Sequence, residues 1–422
     1  MRRGKRFSAL SRLPGGLALL SDRAWLSLAS RRVIGQVAAT LLERALAESG
    51  ALVERLDIVL FTGPALEPWN SDTLRENGMG GSETMAWELA RQLVALGHRV
   101  RVFAHCADIE GMFEGVEWLD YRRFHDLACD VLLVSRQPAA VEAVHSVAAK
   151  IRILWLHEAH CGDKLTPVRD RRIDAYLCLS AWHVGYFRQH YPWLDPKKVL
   201  QTRNGIEPED YWLEPDEARD PLRVVYSSCP SRGLRIALDA WPKIRAAIPG
   251  ATLHVFYGFE NWERSARHDG DPVALAAIEA MKQRIAQTAG VVFHGRTKPA
   301  ELARQFRISG VWAYPDWTHE TSCITAMQAQ AAGLGIVTSA LAALNETVAE
   351  RGRLLSEDPH SEAYRDAFTE ATIAALRSPP SEAERALLHA YAARHFDLPR
   401  LASELVAIFR RLLERQAQSS RA

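Results

Sequence analysis

Short apolar runs alternate with helix-length amphipathic segments along most of the chain. The first run, LDIVLFT at residues 56–62, ends in Gly63-Pro64, which predicts a buried strand followed by a loop. Strands that alternate with helices indicate parallel sheets covered on both faces. Further apolar runs predict strands at 99–104, 131–135, 151–156, 175–180, 223–227, 252–257, 291–294 and 310–314.

Helical periodicity fills the intervals between these runs. In residues 84–96 apolar positions recur at helical spacing from Met85 to Leu96, and residues 234–247 show a second helical pattern. Residues 381–415 are predicted to be helical throughout, because apolar residues repeat on one face. That face carries Leu401, Leu405, Ile408, Phe409 and Leu412.

The length of the chain favours two lobes. A single hydrophobic core stops growing well before 422 residues. Asn204-Gly205, followed by the loose, proline- and acid-rich residues 207–221, marks the predicted boundary. The predicted domains are a basic, helical extension at 1–55, a first Rossmann-like lobe at 56–205, a second at 206–385, and C-terminal helices at 386–422 that pack back toward the first lobe.

Composition is that of a globular protein, with 48% hydrophobic residues, 24% charged residues and a formal net charge of +1. This balance gives no reason to invoke a nucleic-acid partner. The six cysteines are scattered without a Cys-x-x-Cys pair, and most lie within apolar runs. Such usage is typical of a reducing, cytoplasmic compartment.

The first 32 residues carry eight Lys or Arg and one Asp. Their apolar stretch, Leu17 to Leu20, is too short for a secretory core, and no apolar run of spanning length occurs in the chain. The favoured interpretation is a solvated tail that leads into a helix at residues 33–49. The alternative is peripheral contact with the inner face of an anionic membrane, through the basic side chains and Trp25.

Three loops follow predicted strands and precede predicted helices, where doubly wound folds bind their ligands. Residues 78–83 (GMGGSE) contain consecutive glycines that allow close backbone approach, and the helix behind them offers free amides. Residues 227–234 (SSCPSRGL) place Arg232 among hydroxyls at a helix start, an arrangement suited to phosphate oxygens. Each loop alone could equally be a tight turn or a capped helix start.

The third loop, residues 314–328 (YPDWTHETSCITAMQ), is the most informative. A strand is predicted to end at Tyr314 and a helix to begin near Thr321. Glu320 lies just before this helix, and Gln328 lies eight residues later, about two turns on and at nearly the same angle. Both side chains are therefore expected to address one elongated, hydroxyl-rich ligand. The amides expected to face an anion belong to Thr321, Ser322 and Cys323.

In order and spacing these segments resemble a GT-B glycosyltransferase of family 4, over about residues 56–412. The fold that this resemblance implies is α/β GT-B, with two doubly wound Rossmann-like lobes and a cleft between them. The segments that carry it are GMGGSE with GHRVRVF at 78–103, LHE at 156–158, RNGI at 203–206, the loop at 228–234, FHG at 293–295 and the segment 319–333.

The resemblance also implies roles for individual residues. His157 would lie near the reacting sugar, and Glu320 would contact the hydroxyls of that sugar. Arg232 falls where the family carries a phosphate-binding lysine, and Asn204 and Gly205 would form the hinge between the lobes. The remaining donor contacts would be Gly80 and Gly81 to the diphosphate and sugar, Gly295 and Arg296 to the base, Thr321, Ser322 and Cys323 to the phosphates, and Gln328 to the ribose.

The chain departs from the family pattern at the donor site. Ser227 stands five residues before Arg232, where relatives usually carry an arginine, so one positive charge on the diphosphate is missing. Gln328 replaces the second of the family's paired glutamates, which turns a charge-assisted hydrogen bond to the ribose into a neutral one. The loop after Glu320 also lacks the glycines that relatives often have.

The function implied is a retaining, metal-independent and cofactor-free glycosyltransferase of polysaccharide or glycoconjugate biosynthesis. It would move a hexosyl or N-acetylhexosaminyl group from a UDP-, GDP- or ADP-linked donor to an unknown acceptor. A non-catalytic nucleotide-sugar-binding or scaffolding protein is the main alternative, and an epimerase on the same fold is a third. Two metal patterns are set aside, since Asp269-Gly270-Asp271 follows no strand and His157 and His160 lack the helical spacing of zinc peptidases.

Overall fold

The computed structural model describes residues 55–419, except for the side chains of residues 143–145. The predicted extension, with its helix at 33–49 and its membrane contact, lies almost entirely outside the described residues. Within residues 55–419, no helix combines the length and the apolar character that crossing a bilayer requires.

The first lobe is built on an eight-stranded sheet in the order β3-β4-β2-β1-β5-β6-β7-β8. Every neighbouring pair is parallel except β3 with β4. Its strands are β1 (Asp57–Phe61), β2 (Arg99–Ala104), β3 (Gly111–Phe113), β4 (Val116–Asp120), β5 (Leu127–Ser135), β6 (Val147–Trp155), β7 (Ala175–Cys178) and β8 (Val199–Gln201).

The second lobe is built on a six-stranded, wholly parallel sheet in the order β11-β10-β9-β12-β13-β14. Its strands are β9 (Arg223–Ser227), β10 (Thr252–Phe256), β11 (Val291–Gly295), β12 (Val311–Tyr314), β13 (Gly335–Ser339) and β14 (Arg353–Leu355). The predicted two-lobed architecture of doubly wound sheets is confirmed.

Helices connect these strands. In the first lobe they are α1 (Ser71–Asn77), α2 (Gly81–Ala95), α3 (Pro167–Asp170) and α4 (Ala181–His190). In the second lobe and at the C-terminal end they are α5 (Leu234–Ala247), α6 (Glu260–His268), α7 (Pro272–Gln287), α8 (Pro299–Arg307), α9 (Ile324–Ala331), α10 (Leu344–Thr347), α11 (Glu362–Arg377), α12 (Glu382–His395) and α13 (Leu398–Ser419).

Residues 381–415 are helical, as predicted, except for a short interruption between α12 and α13. At the break the Ile206 amide donates to the Phe396 carbonyl at 2.8 Å, and the Leu398 amide donates to the Ile206 carbonyl at 2.9 Å. Helix α12 packs in the second-lobe core, which includes Ala392. Helix α13 packs in a first-lobe core through Leu398, Leu401 and Leu405. The break is therefore the place where the chain returns to the first lobe.

The burial of α13 can be tested with Leu401→Ala. Leu401 is fully buried in the first-lobe core, so its truncation should lower the free energy of unfolding by about 2–5 kcal/mol. Leu387→Ala on α12 is the matched control, because Leu387 is 70% exposed and its loss should cost less than about 0.5 kcal/mol. Urea titration followed by tryptophan fluorescence measures both. Equal losses would contradict the packing of α13 on the first lobe.

Candidate functional site

Two predicted loops of the second lobe meet at Glu320. Its Oε1 accepts hydrogen bonds from Arg232 Nη1 and from the Tyr314 hydroxyl, both at 2.9 Å. The Ser228 hydroxyl lies 3.2 Å from the Tyr314 oxygen. The Glu320 side chain is 14% exposed and that of Arg232 is 46% exposed. The guanidinium carries five N–H donors, so it can hold Glu320 and still present donors to a ligand.

A glycine allows these loops to approach so closely. Gly233, the residue before α5, has φ +110°, a backbone conformation that residues with a side chain rarely adopt. A Cβ at this position would lie 2.1 Å from the carbonyl oxygen of Pro315. Gly233 thus fixes Arg232 beside the segment that carries Glu320.

The predicted glycine loop of the first lobe faces the second lobe. Helix α2 begins at Gly81, three residues before its predicted start, and Gly80 precedes it in an extended conformation. A Cβ at Gly80 would lie 3.6 Å from the Tyr257 hydroxyl, and a Cβ at Gly81 would lie 3.3 Å from Ile324 Cδ1. Both of these neighbours belong to the second lobe, so the bare backbone of the loop forms part of the cleft wall.

His157 lies just after β6, and its backbone carbonyl makes a hydrogen bond to the second lobe. Its carbonyl accepts a hydrogen bond from the Thr321 hydroxyl at 2.9 Å, and its ring packs 4.4 Å from the ring of Trp155. Burial, together with the charge of Arg136, holds the pKa of His157 well below its ordinary value, so the imidazole is neutral at neutral pH. Its Nε2 is buried and has no hydrogen-bond partner within residues 55–419. A ligand hydroxyl could satisfy that nitrogen.

Arg136 is a site residue that the sequence analysis missed. It follows β5 with φ +62° and lies 2.5 Å from Glu83 and 3.6 Å from Glu158. Burial raises the pKa of Glu158, and Arg136 opposes that effect. The guanidinium therefore ties the helix behind the glycine loop to the segment that carries His157. A charged residue directly after a predicted strand was the available signal.

Tyr257 is a second residue that the sequence analysis missed. The strand predicted to include it ends at Phe256, and Tyr257 has φ +103°. A non-glycine residue held in such a region costs about 1–3 kcal/mol and is typical of functional sites. Its hydroxyl lies beside Gly80 and accepts a hydrogen bond from Asn261 Nδ2 at 3.3 Å. No sequence pattern reveals this conformation.

The segment 321–323 precedes its helix rather than beginning it. Helix α9 starts at Ile324 with Cys323 as its N-cap, so the predicted start near Thr321 is wrong by three residues. Long-range hydrogen bonds hold the segment out of the helix. Besides the bond of Thr321 to His157, the Ser322 hydroxyl accepts from the Asn204 amide at 3.1 Å. Asn204 Nδ2 also donates to the Ser322 carbonyl at 2.8 Å.

The side chain of Gln328 makes a hydrogen bond inside the second lobe. Its Nε2 donates to the Tyr211 hydroxyl at 2.8 Å, and the residue is 8% exposed. Its Oε1 has no partner within the described part of the chain. The predicted equal angle of Glu320 and Gln328 assumed helical residues from Thr321 onward, which the structure does not have.

Gly295 and Arg296 lie at the end of β11, where the second lobe meets the first. Gly295 has φ +66°. Arg296 pairs with Glu67 at 2.5 Å and donates to the Gly78 carbonyl at 2.8 Å. A cavity of about 810 Å³ opens here, lined among others by Glu67, Gly78, Glu260, His294, Arg296 and Lys298. Within residues 55–419, no three His, Cys, Asp or Glu side chains group as metal ligands would.

One family model matches part of the second lobe. Residues 223–377 match the family model "Glycosyl transferases group 1". A comparison with curated proteins finds no match.

Solved structures of similar fold cover most of the chain. Sucrose-phosphate synthase (tll1590) from Thermosynechococcus elongatus is 15% identical with TM-score 0.62, over 85% of this chain and all of the other. A glycosyltransferase from Rickettsia africae ESF-5 is 12% identical with TM-score 0.60, over 85% and 99% of the two chains. Anabaena Alr3699/HepE in complex with UDP and glucose is 15% identical with TM-score 0.57, over 83% and 99%. These likenesses show the GT-B fold.

Asp316 is a fully buried carboxyl group next to this centre. Its Oδ1 accepts from the Thr318 amide at 3.0 Å and from the Thr318 hydroxyl at 2.8 Å. Its Oδ2 has no partner within residues 55–419. Burial, and then the negative charge of Glu320, raises the pKa of Asp316 well above its ordinary value. The folded chain therefore keeps this proton over a pH interval in which the unfolded chain has lost it.

Asp316→Asn should remove a pH dependence of stability. Between the ordinary carboxyl pKa of about 4 and the raised value, the folded state binds more protons, so stability falls as pH rises. We expect the difference in unfolding free energy between variant and native chain to be constant below about pH 4. As pH rises above that value, the variant should become increasingly more stable than the native chain. Urea unfolding at several pH values measures it. Asp216→Asn at an exposed position is the control, and parallel profiles for Asp316→Asn and native chain would refute the prediction.

Proposed function

We propose that this GT-B chain, whose residues 223–377 match the family model "Glycosyl transferases group 1", transfers a sugar from a nucleotide-sugar donor to an acceptor. Transfer would retain the anomeric configuration and need no metal ion. The observation that supports this best is the pair of Arg232 and Glu320 at 2.9 Å. Across the cleft, neutral His157 is linked to the same loop by Thr321.

The leaving diphosphate gains negative charge as the glycosidic bond breaks. Preorganised donors in a water-poor site stabilise such charge more than they do in water. In this chain Arg232 would supply the positive charge, with the amides of residues 321–323 and the Tyr257 hydroxyl as neutral donors. Ser227 is 5% exposed and uncharged, so the charge rests on Arg232.

The sugar would lie between Glu320 and His157. Glu320 would accept hydrogen bonds from sugar hydroxyls, and the buried imidazole would pair with another hydroxyl. The acceptor oxygen would then attack from the face that the diphosphate leaves. Gly80 and Gly81 would let the backbone of the first lobe approach the diphosphate.

The base would lie near Gly295 and Arg296, beside the cavity at β11. The HepE structures hold UDP or UDP-glucose, which supports a nucleoside diphosphate donor; a UDP-, GDP- or ADP-linked sugar would suit the proposed site. Closure about Asn204 and Gly205 would exclude water and bring both halves of the site together.

A nucleotide-sugar-binding protein without turnover is the second candidate. Its support is Ser227 in place of a charged residue and Gln328, whose amide is committed to Tyr211. Incubation of pure protein with radiolabelled UDP-, GDP- and ADP-sugars in excess EDTA separates the candidates. Slow hydrolysis or transfer despite the chelator supports the enzyme, and clear donor binding without turnover supports the second candidate. Proton NMR of a transfer product tests retention.

The role of Arg232 can be tested with Arg232→Gln. Loss of the guanidinium removes the charge proposed to face the leaving diphosphate, so kcat/KM for donor turnover should fall about 100-fold or more. Arg235→Gln, three residues further on an exposed face of α5, should leave turnover unchanged. Radiolabelled donor turnover measures both, with thermal midpoints to confirm folding. Equal activity of the two variants would contradict the role, and full turnover by Glu320→Ala would contradict that of Glu320.

A further inference from the structure

A row of aromatic side chains leads away from Glu320 onto the first lobe. Trp182, Tyr186 and His190 recur at every fourth position of α4, so they share one face of that helix. His160 stacks on His190 at 4.1 Å with the ring planes 12° apart. His319 packs 5.4 Å from Trp182 and 5.6 Å from Tyr186. We call these five residues the aromatic row.

The rings of the row are ordered along the helix. The planes of Trp182 and Tyr186 are 22° apart at 4.9 Å, and those of Tyr186 and His190 are 20° apart at 6.1 Å. Eight residues of helix span about 12 Å. The row is therefore a continuous aromatic strip that is longer than one sugar ring.

The row is not part of the core. The opposite face of α4 packs into the first lobe through the buried His183 and Phe187. In contrast, Trp182 and Tyr186 are partly exposed, and the three histidines of the row are exposed. Only the His160 ring has a hydrogen bond among residues 55–419, from the Gly162 amide at 3.0 Å. The indole N–H, the phenol and the other two imidazoles face solvent with their hydrogen-bonding capacity unused.

The row begins at the proposed reaction centre. His319 directly precedes Glu320, and His160 lies three residues after His157. Contacts between the lobes fix this end, since Glu346 of the second lobe accepts hydrogen bonds from the amides of Ala181, at 2.9 Å, and of Trp182. An acceptor whose hydroxyl reaches the sugar beside Glu320 would have its distal part over this strip.

We infer that the aromatic row is the acceptor subsite, and that it takes an uncharged oligosaccharide lying along α4. The C–H faces of sugar rings pack on aromatic rings, whose faces are electronegative. Sugar hydroxyls need both donors and acceptors, which indole, phenol and imidazole together supply. No Lys, Arg, Asp or Glu belongs to the row, so none of its side chains carries a permanent charge that would select a phosphate or a carboxylate. The inference rests on the proposed transfer reaction.

Binding of neutral trisaccharides tests the subsite separately from catalysis. Maltotriose, cellotriose, chitotriose and mannotriose are each titrated with the full chain. Binding is followed through the NMR signals of the trisaccharide. We expect at least one to bind, and Tyr186→Ala to weaken that binding about tenfold, the upper range for one aromatic contact. Tyr186→Phe, which keeps the ring, should recover most of it. Gln189→Ala, at an exposed position on the same helix, should bind like the native chain.

Donor hydrolysis without acceptor separates the two proposals. It should be the same in native chain, Tyr186→Ala and Gln189→Ala, whereas transfer to the bound trisaccharide should show a raised KM only in Tyr186→Ala. Trisaccharide binding that depends on Tyr186, without any donor turnover, would support the subsite and refute the transfer reaction. Turnover with no trisaccharide binding, or with binding indifferent to Tyr186→Ala, would overturn the subsite. Tyr186-dependent binding of phosphatidylglycerol vesicles instead would overturn it in favour of a lipid surface.

Discussion

The two chain segments that connect the lobes lie side by side, and the position of the segment that carries Glu320 depends on this arrangement. Ile206 pairs with Asp397 in a parallel bridge, and a Cβ at Gly205 would lie 3.2 Å from the Leu398 backbone. One residue earlier, Asn204 makes two hydrogen bonds to Ser322. A rotation of the lobes about Gly205 would therefore also move the segment that carries Glu320, so the proposed closure and the position of Glu320 are coupled.

Three features around the cleft are individually unfavourable. Within residues 55–419, one oxygen of the buried Asp316 and one buried nitrogen of the His157 imidazole have no hydrogen-bond partner. Tyr257 keeps a positive φ. Unpaired buried polar groups are rare in native structures because each one costs stability. Two such groups and one strained backbone conformation near one cleft are what a fold constrained by ligand binding, as well as by its own core, is expected to show.

The sequence predicts what local pattern determines and misses what distant contacts decide. The central strands are buried on both faces and form continuous apolar runs, whereas β3 and β8 have three residues each and too little pattern to detect. The break between α12 and α13 arises from pairing with Ile206, almost two hundred residues earlier. The loops at 227–234 and 314–328 are predictable because they join strands to helices. Arg136 has only a weak signal, its charge directly after a predicted strand, and Tyr257 is recognisable only from its backbone conformation and its partners on other elements.

The burial of Gln328 gives a physical reason for the amide at that position. A carboxylate there would be 8% exposed and would have only the Tyr211 hydroxyl to offset its desolvation, and burying a poorly paired charge is costly. The amide instead donates to Tyr211 without charge. Ser227 is also neutral, and among residues 55–419 Arg232 uses one of its five N–H donors in the hydrogen bond to Glu320. In the proposed reaction, Arg232 would therefore be the cation that faces the leaving diphosphate.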